Sequence, residues 1–209
     1  MIPMIPIHAL PTLGTLTIQM RAVARIATSA DPTLWYVTRA AAISSYVALT
    51  LTVGLGLLRS MARQIRLSGA VTFWLLDELH QFLAILTAAF LALHLLTLLL
   101  DPYLPFSLAN LLIPLGEPYS AFGSALGVLG LYAMMVILAS SWLRRFISYG
   151  FWRALHYVSF GVFVLVTAHG LFAGSDTGQP WAIAMYLGAC AAIGVLCLLR
   201  VVISPRMQT

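Results

Sequence analysis

Five stretches of this chain are each long and apolar enough to cross a lipid bilayer, and that feature leaves few folds open. They run over 38–58, 72–100, 119–143, 150–173 and 180–203. A spanning helix needs about 20 mostly apolar residues. In hydrocarbon a segment must satisfy its own backbone polar groups, so such runs fold as helices. The expected fold class is all-α, a polytopic membrane helix bundle with five transmembrane helices. Composition agrees: 61% of the residues are hydrophobic and only 8% are charged, against about 25% charged in a soluble domain. The short loops leave no room for a nucleotide- or flavin-binding unit, and neither G-x-G-x-x-G nor G-x-x-x-x-G-K occurs. The two cysteines, Cys190 and Cys197, sit seven apart in one apolar run and carry no disulfide or zinc signal.

The arginines orient the bundle. The net charge is +5 and every basic residue is Arg. Arg59, Arg63 and Arg66 fall between spans one and two. Arg144 and Arg145 fall between three and four, with Arg153 just inside span four, and Arg200 and Arg206 lie at the C-terminal end. The alternate loops hold no Arg, only Asp101, Glu117 and Asp176. The positive-inside rule puts the Arg-bearing side in the cytoplasm of a bacterial cell membrane, the N-terminus outside and the C-terminus inside. Arginines at span ends read as topology signals, not as a nucleic-acid surface.

Three regions follow: an N-terminal segment over 1–37, a transmembrane domain over 38–203 and a cytoplasmic tail over 204–209. Within the first, Leu13, Leu16, Met20, Val23 and Ala27 recur at helical spacing in 12–28. That pattern fits an amphipathic helix on the membrane surface, or a sixth, short span. The 101–118 loop carries four prolines and is expected to order over the outer face.

Four of the five histidines concentrate the chemistry. Span two carries His80 and His94, and span four carries His156 and His169; His8 lies in the N-terminal tail. Spans two and four are separated by one crossing and so run parallel. Depth therefore pairs His80 with His156 on the inner side and His94 with His169 on the outer side. Separations of fourteen and thirteen residues correspond to about 21 and 20 Å of helix, inside a hydrocarbon core of about 30 Å. Fourteen residues return to nearly the same helix face, whereas thirteen do not. A bend or local unwinding in span four has to compensate, and Gly161 is the candidate.

Ionisable groups inside a membrane are costly and usually functional, and imidazole ligates iron, copper or zinc. The members of each pair come from different helices, which favours a haem between them. The expectation is two b-type haems between spans two and four, the inner on His80 and His156, the outer on His94 and His169. Iron with both axial positions filled exchanges electrons without an open site for oxygen. Haem propionates need cationic partners. Arg153 is placed for the inner haem, with Arg59, Arg63 or Arg66 as alternatives, and Arg39 for the outer. Trp152 and Tyr157 flank the inner histidine, where interfacial anchoring explains them equally well. Asp77 and Glu78, a turn or less before His80, fit an interfacial role or the steering of a proton or donor. Gly123 and Gly127 in span three, and Gly170 and Gly174 ending span four, form G-x-x-x-G pairs suited to close helix approach or to room for a porphyrin.

These residues resemble the ferric-reductase-like transmembrane domain family. That family includes the membrane parts of ferric reductases and NADPH oxidases and the haem subunit of a bacterial methionine sulfoxide reductase system. The resemblance runs from about Arg39 to Arg200. Its carriers are Arg39 in RAAAISSYVAL, His80 with His94, SSWLRR at 140–145, WRALH at 152–156 and HGLFAGSD at 169–176. It implies two stacked b-haems on the four histidines, Arg39 near the outer haem, and electrons moving from a cytoplasmic flavin to an external acceptor. Complete reductases of the family continue into FAD- and NAD(P)H-binding domains, whereas this sequence stops nine residues after Arg200. The donor is then expected to be a separate flavoprotein or quinol. Two other readings stand beside the electron conduit: an integral subunit of a larger respiratory or photosynthetic complex, with an assembly or electron-storage role, and a single-haem quinol-oxidising cytochrome. Membrane lipid is the partner common to all.

Overall fold

The computed structural model of the chain describes residues 32–64, 70–102, 106–116 and 120–203. His8, the 12–28 segment, Arg66, Glu117 and Arg206 lie outside the described residues. The elements are α1 (Thr33–Gln64), α2 (Ala70–Leu100), a short α3 (Leu108–Leu112), α4 (Ala121–Trp142), a 3-10 turn (Arg144–Phe146), α5 (Tyr149–His156), α6 (Val158–Ala173) and α7 (Pro180–Ile203). Among the described residues, five segments are long and apolar enough to cross a membrane, with α5 and α6 together making the fourth. The first helix outruns the apolar stretch of 38–58 at both ends. Its flanking turns hold Thr33, Arg59, Ser60 and Arg63, polar residues that the interface solvates and that need no break in the helix.

Span four departs from the expected geometry in one respect. Its ladder is interrupted at Tyr157, directly after His156, and not at Gly161. The Tyr157 amide is shared between the carbonyls of Arg153 and Ala154, each 3.2 Å away, and the Phe160 amide returns to the Tyr157 carbonyl at 3.2 Å. Tightening to three-residue bonds changes the rotation per residue, so the two histidines of this span are set by separate helices. Gly161 lies within α6 beside open space. An exposed Ser148 starts the inner segment, its Oγ accepting the Phe151 amide at 3.3 Å, as an N-cap does.

The first helix is the centre of the bundle. It pairs along its length with α2 and also meets α6 and α7, while α4 packs on α6 and α5. Tyr46, Leu49, Val53 and Leu57 of α1 join Met134 and Ile137 of α4, Val162 and Phe163 of α6 and Ile193 of α7 in one buried cluster. Tyr46 ties three helices together: it stacks on Phe163, meets Tyr186 edge-on with ring centres 5.0 Å apart, and shares a 3.2 Å hydrogen bond with Thr167. Outside this core the helices present large apolar side chains, such as Phe82 and Ile85 on α2 and Leu198 and Val201 on α7. In water such surfaces would mark an interface; on helices long and apolar enough to cross a membrane they suit contact with lipid.

Antiparallel pairing of α1 with α2 has a regular register. The Thr38 carbonyl meets His94, the Ser45 hydroxyl donates to the Thr87 carbonyl at 3.1 Å, and the Thr52 carbonyl meets His80. Each step is seven residues on both helices, the repeat of two helices wound with a shallow left-handed crossing. Thr38 and Thr97, both buried, add a hydroxyl–hydroxyl bond of 2.8 Å at the outer end.

Candidate functional site

Three of the four histidines are seated on backbone carbonyls of a neighbouring helix. His80 Nδ1 donates to the Thr52 carbonyl at 3.0 Å, His94 Nδ1 to the Thr38 carbonyl at 3.1 Å and His169 Nδ1 to the Gly123 carbonyl at 2.8 Å. A carbonyl can only accept, so Nδ1 carries the proton in each neutral ring. The lone pair is thereby left on Nε2, the arrangement that metal-ligating imidazoles adopt, with their other nitrogen fixed by a carbonyl or carboxylate. α1 supplies both seats for α2, and α4 supplies the seat for α6.

Glycines make the seats possible. A Cβ at Gly127 would lie 2.7 Å from His169 Nδ1, and one at Gly123 would lie 2.9 Å from both the Ala173 amide nitrogen and its Cβ. In the G-x-x-x-G of span three, Gly123 lets α6 approach, and Gly127 makes room for the His169 imidazole. Gly56 does the same for His80 less tightly, its hypothetical Cβ lying 3.3 Å from Cε1.

The inner pair is close. His80 and His156 have ring centres 6.1 Å apart and planes inclined at 58°. His156 differs from the other three, for its buried Nδ1 has no hydrogen-bond partner among the described residues. It is held instead by stacking on Trp152, at 4.9 Å and 25°. Arg144 covers the Trp152 ring at 4.8 Å, so an aromatic side chain lies between a surface cation and the inner imidazole. Trp152 Nε1 is likewise buried without a partner. His94 and His169 are each seated on their own carbonyl, of Thr38 and of Gly123.

The remaining candidates take other places. Arg153 is exposed and donates through Nε and Nη2 to the Tyr157 hydroxyl at 3.2 and 3.1 Å. Arg200 of α7 reaches the same hydroxyl at 3.2 Å, which makes Tyr157 a junction between span four and α7. Arg39 forms an ion pair with Asp176, its Nε 2.9 Å from Oδ2, and lies over the Trp35 ring at 4.2 Å. Arg59, one of the alternatives to Arg153, is ion-paired with Asp77, three residues before His80.

Sequence reasoning found the histidines but not their seats. A carbonyl acceptor has no residue type and leaves no mark in a sequence. A usable signal was present in Thr38, Ser45 and Thr52, small polar residues at intervals of seven along an otherwise apolar helix. Among the described residues no group of three or more His, Cys, Asp or Glu side chains gathers at one point, so the imidazoles stand as pairs. No protein-family model matches the chain, and no curated protein or solved structure is similar to it.

Proposed function

We propose that this protein is a transmembrane b-type cytochrome, the membrane component of a ferric-reductase-like system, carrying electrons through two bis-histidine haems. The observation that carries the reading is the set of Nδ1–carbonyl bonds at His80, His94 and His169. Each commits a costly intramembrane polar group to presenting Nε2 as a ligand. The inner pair adds support: two imidazoles sharing one metal, each nitrogen about 2 Å from it, have ring centres about 6 Å apart, close to the spacing of His80 and His156.

In this reading His80 and His156 would hold the inner haem, and His94 and His169 the outer. A haem held by each pair would supply one-electron exchange. The chain's own residues do the rest. Thr38, Thr52 and Gly123 fix ring tautomer and orientation through their carbonyls. Gly56 and Gly127 leave space for the rings, and the apolar cluster of α1, α4, α6 and α7 holds the helices at constant separation. By the family resemblance, electrons enter from a separate flavoprotein or quinol on the arginine-rich side, taken as the cytoplasmic side of a bacterial membrane, and leave on the other.

Haem quantification by the pyridine haemochrome method on purified protein tests this directly. The expected result is a b-type spectrum with close to two haems per chain, falling to close to one in His94→Ala or His169→Ala. Protein that purifies folded and without haem would end the proposal.

A further inference from the structure

The stripe of α1 that faces α2 passes through Thr38, Ser45 and Thr52 at intervals of seven, and its next position is Arg59. Between the last two, Gly56 runs beside the His80 ring. Arg59 therefore reaches the inner pair from the arginine-rich end. Its Nη2 donates to Asp77 Oδ2 at 2.7 Å, and Nε is directed to the same carboxylate. Asp77 stands three residues before His80, on the same side of α2. The two side chains are only 31% and 35% exposed, so their charges act through a medium less screening than water. At the other end of the bundle the corresponding ion pair, Arg39 with Asp176, is spent on joining α1 to the turn between α6 and α7.

We propose that Arg59 and Asp77 form a fixed electrostatic setting for the inner site, Arg59 favouring the reduced state of an iron held by His80 and His156 and Asp77 offsetting it. The inference rests on the haem reading above. Reduction adds one electron to the site and lowers its charge by one, with no bond made or broken. A nearby cation stabilises the less positive product, and a nearby anion opposes it. Both residues are positioning residues, since neither is a ligand.

The test is a dithionite redox titration, with mediators, of purified protein followed in the visible haem bands. Arg59→Gln should lower one of two midpoints while the other stays in place. A shift of about 59 mV corresponds to a tenfold change in the oxidised-to-reduced ratio of a one-electron couple, and that is the size expected. Asp77→Asn should raise the same midpoint, and Arg59→Lys should keep it near the wild-type value. The outer midpoint serves as an internal control in every variant. Midpoints that do not move, that move together, or that shift the same way in Arg59→Gln and Asp77→Asn overturn the inference while leaving the cytochrome reading intact. Wild-type protein without haem overturns both.

Discussion

At the scale of single residues, the candidate site is made by what stands behind each imidazole. Gly127 gives the sharpest case. Its Cα leaves no room for a methyl group, which would press on His169 Nδ1 at 2.7 Å, the atom whose proton goes to the Gly123 carbonyl. Gly127→Ala should therefore displace the ring and, on the cytochrome reading proposed above, lower haem content from near two per chain towards one. Gly56→Ala, where the contact is 3.3 Å and falls on a ring carbon, should keep both haems. Equal loss in the two variants, by haem-to-protein ratio, would show that the seats do not discriminate as described. The four histidines were legible because a polar group in an apolar run is conspicuous. The glycines behind them were visible only as a spacing motif with two meanings, and the separate uses of Gly123 and Gly127 depend on how α6 lies against α4.

At the scale of elements, two helix pairs do different work. The pair α1 and α2 is zipped by polar side chains and carbonyls at regular depth. Thr38 and Thr97 form the outermost rung, a hydroxyl–hydroxyl bond buried between helices. Interhelical hydrogen bonds in membranes contribute only about 0.6 kcal/mol on average. Thr97→Val should accordingly cost about that much in a detergent unfolding titration. The double variant Thr38→Val with Thr97→Val should cost less than the sum of the single changes, because neither hydroxyl is then left without its partner. Strict additivity would mean that the rung is not coupled. The fourth span was expected to bend or unwind at Gly161, between its histidines; the helix is interrupted instead at Tyr157. Glycine was the sequence-based choice because it lacks a side chain. The observed break follows instead from hydrogen bonds of the Tyr157 backbone and from a hydroxyl that binds Arg153 and Arg200, a tertiary arrangement no local pattern announces.

At the scale of the whole molecule, the spans and their number could be read from hydropathy alone, since lipid rewards apolar length and penalises little else. Which helix touches which could not, because an apolar surface looks alike whether it meets lipid or protein. The arginine distribution gives one further expectation. In a background of Cys190→Ala and Cys197→Ala, Gly178→Cys should react with a membrane-impermeant maleimide added outside intact cells, and Arg145→Cys should react only after the membrane is opened. The reverse pattern would invert the bundle. The register of α1 on α2 also bears on how the protein is built. If the first hairpin docks as it does in the complete fold, with Thr38 opposite His94 and Thr52 opposite His80, half of each proposed pair is oriented before the fourth span has been translated. The depth difference between the halves is inherited from helical rise, about 1.5 Å per residue, and needs no later adjustment. The last helices to arrive have only to close a frame whose vertical scale is already ruled.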